Sequence, residues 1–213
     1  IVSAVKLNDV RFFISYQRRF HPLISKFKEI IKCGDIGKVM SIKITIASNV
    51  PDWHPYEDFR QLYACRSDLG GGVLTTETHE IDFLTWIFGA PKKVFCVRGC
   101  RGPFDIDVED SAELLLDYGS FATQLSMCFM QKKQQRTFEV FGQNGWIKLD
   151  LNAQEIEKGV NGLNTVDVIK DVVDNDTMFR RQAKYFLYEF EKDDENYLDA
   201  LVRCVTIFDK DKN

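Results

Sequence analysis

The sequence predicts an α+β fold with an open, mostly antiparallel sheet and helices on one face. After residue 90, short segments rich in β-forming residues follow one another along the chain. Turn sequences at Tyr118-Gly119 and Gln143-Asn144-Gly145 separate them, so that neighbouring strands are expected to pair antiparallel. Segments with helical periodicity lie before and after these strands. With 213 residues and a hydrophobic fraction of 45%, the chain is large enough for a packed core.

Hydrophobic periodicity and turn residues predict the individual elements. Residues 1–7 are typical of the end of a helix, and residues 10–15 of a short apolar strand. A helix is expected from Pro22 to a stop at Gly34. The next strand has alternating isoleucines at positions 42, 44 and 46. Further strands are predicted at 93–97, 111–116, 122–130, 136–141 and 146–149, and closing helices at 177–191 and 195–208.

One predicted strand indicates how the sheet is used. In residues 121–129, the odd positions carry apolar residues and Thr123, and the even positions carry small or polar residues, so both faces are only moderately polar. A sheet with helices on one side leaves its other face for a partner. We therefore expect a homo-oligomer that packs through the open sheet face.

Composition and charge exclude several classes of partner. The net charge of −4 and the scattered lysines and arginines argue against nucleic acid. No apolar run approaches the roughly 20 residues of a membrane span, so we expect no membrane partner. The six scattered cysteines are typical of reduced thiols in a cytoplasmic protein. Cys96 and Cys100 are the nearest pair, but no second pair or histidine completes a zinc site, and no metal is expected.

The stretch from Gly70 to Gly89 contains the main candidates for catalytic and anion-binding residues. The glycines at 70–72 can cradle an anion or simply provide a tight turn. Thr75 or Thr76 is expected to cap a helix that ends at Gly89. His79 falls near the start of that helix, where the helix dipole disfavours its protonated form, and Asp82 lies on the same helical face. From these residues alone, His79 is either a general base or a histidine of the core.

Two other segments are candidates for ligand binding. The cluster Tyr16-Gln17-Arg18-Arg19-Phe20-His21-Pro22 follows the strand at 10–15, and its arginines either bind an anion or lie in solvent. Residues 49–69 form a long irregular segment crowded with aromatic and charged side chains, a composition typical of a site wall. Its Trp53, His54 and Tyr56 either stack on a sugar ring or anchor the segment itself.

Three motifs together resemble the Gfo/Idh/MocA oxidoreductases, the family of glucose-fructose oxidoreductase and inositol dehydrogenase. They are the cluster at 16–22, Gly34-Asp35-Ile36-Gly37-Lys38-Val39, and the stretch from Gly70 through His79-Glu80-Ile81-Asp82 to Gly89. The resemblance covers nearly the whole chain. It implies that residues 1–16 are the remnant of an N-terminal Rossmann domain and that residues 17–213 form the C-terminal α+β domain for substrate and oligomer contacts.

The resemblance also implies the activity and the site. It implies an NAD(P)-dependent dehydrogenase that oxidises a hydroxyl of a sugar, nucleotide sugar or cyclitol. NAD or NADP would be bound mainly by the N-terminal domain, whose glycine fingerprint this chain lacks, so no cofactor-binding residue is named. His79 occupies the position of the catalytic histidine, and Thr75 stands where many members have an aspartate. The substrate-binding residues are expected to be Tyr16, Arg19, Trp53, His54, Tyr56, Arg66, Thr75 and Asp82.

Two other functions remain open from the sequence. One is a non-catalytic module for sugar binding or dimerisation, and the other is an epimerase or glycosidase that recycles its cofactor. For all three we expect the isolated chain to show no dehydrogenase activity, because the phosphate-binding helix start of a Rossmann domain is lacking.

Overall fold

The computed structural model describes residues 2–10 and 12–189. Its strands are β1 Val39–Asn49, β2 Lys93–Gly99, β3 Ser111–Asp117, β4 Ala122–Cys128, β5 Met130–Gly142, β6 Gly145–Asp150, β7 Glu155–Val160 and β8 Val166–Lys170. Its α-helices are α1 Val2–Asn8, α2 Pro22–Cys33, α3 Val73–Thr76, α4 Thr78–Phe88 and α5 Asn175–Lys184. A 3₁₀ turn at Gln17–Phe20 precedes α2, and four more lie in the segment between β1 and α3.

All eight strands form one sheet, in the order β2-β3-β4-β1-β5-β6-β7-β8. The strands β2 to β4 form one antiparallel meander and β5 to β8 form another, which confirms the turns predicted at Tyr118-Gly119 and Gln143-Asn144-Gly145. The strand β1 lies between the two meanders. It pairs parallel with β4 and antiparallel with β5. The mostly antiparallel α+β sheet is therefore confirmed, with one parallel pair.

The core lies between one face of the sheet and the helices. On β1 the isoleucines 42, 44 and 46 are buried, whereas Lys43 on the other face is exposed. Phe83 of α4 contacts Phe138 of β5 with ring centroids 4.8 Å apart, and Phe27 of α2 contacts both rings. The helices α2, α3 and α4 thus cover the same face, as predicted.

The helix α2 has the predicted signals at both ends. It begins at Pro22, where the missing amide hydrogen costs no hydrogen bond, and the Nδ1 atom of His21 accepts a hydrogen bond from the Leu23 amide at 3.2 Å. It ends where Gly34 adopts a left-handed conformation, with φ of 79°. The start of the helix fixes the position of the preceding turn, which carries Arg18 and Arg19.

Several predicted elements differ from the structure. The strand predicted at 10–15 is wrong, because the described residues of that stretch have no neighbouring strand. Instead, Phe13 packs against Phe20 and against Phe186 after α5. The helix predicted at 177–191 begins at Asn175 and ends at Lys184, followed by a π-helical turn at Tyr185–Glu189. The helix predicted at 195–208 lies outside the described residues. In the described part of the chain, no helix is long and apolar enough to cross a membrane.

Candidate active site

A pocket of about 360 Å³ lies where the end of β1 meets β5, α3 and α4. Polar side chains from distant parts of the sequence converge on it. The turn before α2 supplies Arg18, the segment after β1 supplies Trp53 and Tyr63, and the junction of α3 and α4 supplies His79. The remaining lining residues are Ala47, Ser48, Thr76, Glu77, Gln134, Gln135, Arg136 and Asn152.

The glycines before α3 bring the backbone close to its neighbours. A Cβ atom at Gly71 would lie 2.3 Å from the Tyr63 carbonyl oxygen, and Gly72 has φ of 115°. The first amides of α3 are already used: Val73 donates to the Glu109 carbonyl at 2.9 Å, and Leu74 donates to the Glu109 carboxylate at 3.4 Å. These glycines therefore form a tight turn in the described structure. Glu109 accepts the hydrogen bonds that the first amides of α3 could otherwise donate to a bound anion.

The predicted helix from Thr75 to Gly89 is broken near its start. Neither threonine caps it: Gly72 is the N-cap residue, and the Thr75 hydroxyl donates back to the Gly72 carbonyl at 3.1 Å. The helix breaks at Glu77, whose backbone angles lie outside the helical region. This break separates α3 from α4 and places Glu77 and His79 on the pocket wall.

Four charged residues form what we call the pocket cluster: Arg18, Glu77, Glu80 and Arg136. Arg136 donates to the Glu77 carboxylate at 2.7 Å and also to the Glu80 carboxylate. Glu80 is fully buried, and Glu77 is nearly so. Such burial of carboxylates is tolerated only with a charged partner. Arg136 therefore fixes the start of α4 on both sides of His79.

His79 packs against an aromatic ring and lies near two cations. The Tyr16 ring meets its imidazole edge-on, with centroids 5.8 Å apart. Burial lowers the pKa of His79 to about 4, and the positive charges of Arg18 and Arg136 act in the same direction. The imidazole is therefore neutral at pH 7, as predicted from its position near a helix start. The cause in this structure is burial and two arginines.

Unpartnered polar atoms concentrate at this pocket. Within the described residues, Arg18 Nε, Ser48 Oγ, Thr76 Oγ1 and His79 Nδ1 are buried and have no hydrogen-bond partner. All four residues line the pocket. One carboxylate oxygen of Glu80 is also buried without a hydrogen-bond partner. Buried polar groups in proteins are almost always hydrogen-bonded. A cluster of unpartnered ones in a cavity indicates a binding site for a polar ligand.

A second charged group is the buried ion pair of Arg19 and Asp82, neither of which is among the lining residues of the pocket. Arg19 Nε donates to Asp82 Oδ2 at 2.8 Å, and a second guanidinium nitrogen donates to Oδ1. The Arg19 guanidinium also lies 5.6 Å from the Tyr16 ring centroid and 5.3 Å from that of Trp86. Burial raises the pKa of Asp82, and Arg19 opposes this shift. The pair joins the turn before α2 to α4.

Comparison with known protein families identifies the family of this chain. The model of the GFO/IDH/MocA C-terminal domain matches residues 24–148, which is more than half of the chain. The chain belongs to the GFO/IDH/MocA family. No curated protein matches its sequence.

Solved structures share the fold at low sequence identity. An inositol dehydrogenase homolog from Azotobacter vinelandii, complexed with NADH and myo-inositol, has a TM-score of 0.70 and 15% identity, with 98% of this chain and 65% of that chain covered. The WlbA dehydrogenase from Bordetella pertussis, in complex with NADH and UDP-GlcNAcA, has a TM-score of 0.73 and 19% identity, with coverages of 100% and 64%.

A third structure, an NAD binding oxidoreductase from Klebsiella pneumoniae, has a TM-score of 0.78 and 13% identity, with coverages of 97% and 65%. This chain of the GFO/IDH/MocA family thus spans 64–65% of the length of these three proteins. At such identities the likeness establishes the fold.

The site residues expected from the GFO/IDH/MocA resemblance separate into three groups in the structure. His79 and Trp53 line the pocket, and Tyr16 packs on His79. Arg19 and Asp82 form the buried ion pair. The others are not among the lining residues: His54 Nδ1 and the Tyr56 hydroxyl lie 2.7 Å apart in the exposed segment, Arg66 pairs with Asp68 at 3.0 Å, and Thr75 is exposed.

Arg136 is not among the predicted site residues, although the sequence carries a signal for it. Ile42, Ile44 and Ile46 of β1 pair with Val140, Phe138 and Arg136 of β5, so Arg136 occupies a position where the strand pattern calls for an apolar residue. A charge at a core-facing strand position indicates a buried partner or a site. Glu77, Gln134, Gln135 and Asn152 have no comparable signal. A helix break brings Glu77 to the pocket, Gln134 and Gln135 are two of several polar residues of β5, and Asn152 lies in the turn after β6.

Proposed function

We propose that this chain is the substrate-binding domain of an NAD(P)-dependent oxidoreductase that acts on a hydroxyl of a sugar, nucleotide sugar or cyclitol. The observation that carries the proposal is the group of unpartnered buried polar atoms around one pocket. It includes a donor, Arg18 Nε, and two hydroxyls, of Ser48 and Thr76, that both donate and accept. A polyol ligand presents the same mixture, since each of its hydroxyls is both a donor and an acceptor.

The shape and lining of the pocket support a ring-shaped polyol. A volume of about 360 Å³ accommodates a single sugar or cyclitol ring. Trp53 supplies an aromatic surface for the C–H face of such a ring, and the indole is held by edge-on packing against Phe129 at 5.2 Å. The amides of Gln134, Gln135 and Asn152 offer further partners for hydroxyls.

His79 is proposed as the proton acceptor. Its Nδ1 atom is buried at the pocket and has no partner among the described residues, and its imidazole is neutral at pH 7. A neutral imidazole can take the proton of a substrate hydroxyl while the adjacent carbon is oxidised. Tyr16 restricts the tilt of the ring through its edge contact. Arg18 and Arg136 disfavour the imidazolium, so the proton must pass on to solvent or to a second group.

The cofactor is proposed to be NAD or NADP, and when bound it supplies the hydride acceptor. The pocket fits this arrangement, because its unpartnered atoms can hold a hydroxylated substrate. The described residues contain no strand, glycine-rich turn and helix for a dinucleotide. Following the family resemblance, we propose that residues 1–16 are the end of an N-terminal Rossmann domain, that residues 17–213 are the substrate domain, and that the N-terminal domain binds most of the cofactor.

The open sheet face is proposed as the contact with a second copy of the chain. Large apolar side chains are exposed on it, among them Phe95, Leu115, Phe141 and Val168. Clusters of exposed apolar residues on a sheet are typical of protein interfaces. A cytoplasmic location remains a prediction from the cysteine content, and the described cysteines are free.

The proposed function is tested by sugar-dependent reduction of NAD or NADP by the full-length protein. We expect turnover with a sugar or cyclitol, and a loss of about 100-fold or more in kcat for His79→Ala. Unchanged turnover in this variant would remove His79 from the mechanism. Substrate conversion without net reduction of the cofactor would indicate an epimerase or glycosidase, and binding without conversion would indicate a non-catalytic module.

A further inference from the structure

Arg18 is the cation of the pocket cluster whose charge the protein leaves without a direct partner. Its guanidinium lines the pocket, and its Nε atom is buried without a hydrogen-bond partner. Among the described residues no carboxylate lies within ion-pair distance of Arg18. Burying its Nε atom without such a partner is costly, because the atom loses hydration and no contact among the described residues replaces it.

The neighbouring charges do not replace that partner. Glu77 and Glu80 are close enough to favour the charge of Arg18, but both are in contact with Arg136. Burial lowers the pKa of Arg18, and the positive charge of Arg136 lowers it further, by more than either glutamate raises it. The formal charges of the four side chains in the pocket cluster sum to zero. Arg136 holds both carboxylates, however, and the pocket therefore presents a cation to its ligand.

We propose that the ligand of this pocket carries a carboxylate that pairs with Arg18, which makes the substrate class a sugar acid or a carboxylated cyclitol. A planar carboxylate matches the guanidinium fork and can accept two hydrogen bonds from it. The uncharged lining residues Ser48, Gln134, Gln135 and Asn152 remain for the ring hydroxyls. This inference rests on the proposed function and names the substrate class of the same site.

The test compares D-glucuronate with D-glucose, which differ in the carboxylate. The chain contains three histidines, so the imidazole signals in NMR spectra are few, and the His79 signal reports on occupation of the pocket. We expect D-glucuronate to bind the 213-residue chain about tenfold or more tightly than D-glucose. In Arg18→Met the two affinities should become equal within about twofold, because D-glucuronate loses the partner of its carboxylate, whereas D-glucose loses at most one neutral hydrogen bond.

Two further variants make the result specific. Arg18→Lys keeps the charge but loses the fork, so an intermediate preference is expected. Arg60→Met is the matched control, because Arg60 is exposed and pairs with Asp58 at 3.3 Å, and it should keep the full preference. An unchanged circular dichroism spectrum and an unchanged dispersion of the amide NMR signals show that Arg18→Met is folded.

The outcomes separate this inference from the proposed function. Equal affinities for D-glucuronate and D-glucose would overturn the carboxylate assignment and leave the proposed function standing. Binding of D-glucose 1-phosphate that depends on Arg18, with no binding of D-glucuronate, would overturn it in favour of a phosphate. Absence of binding of all three compounds, to this chain and to the full-length protein with NAD, would contradict both.

Discussion

Arg18 and Arg19 follow each other in one 3₁₀ turn, but their guanidinium groups have different surroundings. Arg19 forms two hydrogen bonds with Asp82 and is enclosed by Tyr16 and Trp86. Arg18 lies in the pocket cluster, where Arg136 holds both glutamates. The buried ion pair is complete within the protein, whereas the pocket cluster has one cation in excess of direct partners. The buried ion pair is suited to holding the turn before α2 against α4, and the pocket cluster is suited to binding a ligand.

The largest effect is expected when the buried ion pair is broken. Asp82→Ala leaves the Arg19 guanidinium buried without its carboxylate, and we expect a loss of about 3–5 kcal/mol in the free energy of unfolding. Urea denaturation measures this loss. Asp68→Ala, which removes the exposed partner of Arg66, is the control and should give no measurable change. A loss below about 1 kcal/mol in Asp82→Ala would show that Arg19 does not depend on Asp82 as its direct partner, and the contrast with the pocket cluster would be wrong.

A smaller effect is expected when the pocket cluster loses its central cation. Arg136→Met leaves Glu77 and Glu80 without their direct partner, but Arg18 remains near both carboxylates. We expect a loss of about 2–3 kcal/mol, less than in Asp82→Ala. The double variant Arg18→Met/Arg136→Met should lose more than the sum of the single variants, because it removes the replacement cation. Strictly additive losses would contradict this account.

The free energy of unfolding is expected to depend on pH through His79. The pKa of His79 is about 4 in the folded chain and about 6.5 when unfolded, so between these values the unfolded state binds more protons. Stability should therefore decrease as the pH falls from about 6.5 to 4. A difference of this size corresponds to about 3 kcal/mol, which partial exposure of the imidazole reduces to about 2 kcal/mol.

This pH dependence is measured by urea denaturation across that range. His79→Gln should remove most of it, because glutamine does not titrate. If the variant kept the full dependence, other groups would be responsible, and the cationic surroundings assigned to His79 would be wrong.

The smallest effect distinguishes the two neighbouring arginines directly. Arg18→Met removes a cation without a direct partner, and the free energy of unfolding should change by no more than about 1 kcal/mol, in either direction. Arg19→Met is its matched control and should cost about 3 kcal/mol or more, because it leaves Asp82 buried alone. Equal costs in the two variants, measured by urea denaturation, would contradict the comparison.

The sequence predicted those parts of the fold that depend on local signals. The helix from Pro22 to Gly34, the hairpins and the alternating isoleucines are determined by caps, turns and periodicity. The pattern at 10–15 is apolar for another reason: Phe13 packs with Phe20 and Phe186, not within a sheet. The parallel pairing of β1 with β4 also has no local signal, because most of the described helices and turns lie between them.

The candidate site was predicted only in part. The residues alone left the roles of His79 and Trp53 open, and the family resemblance selected His79 as the catalytic residue; both line the pocket. The sequence could not distinguish Arg18 from Arg19, because their roles depend on which guanidinium meets Asp82 from a helix 63 positions away. It also could not show that Arg136 holds Glu77 and Glu80, since this contact is made across the core.

The central position of β1 has a consequence for the order of folding. Every other strand pair in the sheet is a hairpin or short connection, so its contacts are local. Both partners of β1 are distant in sequence: Ser41 lies beside Ala122 on one side and Phe141 on the other. Closing such long loops costs entropy before any contact is gained. The two meanders are therefore expected to form first, and the insertion of β1 between them completes both the sheet and the wall of the pocket that carries Ser48.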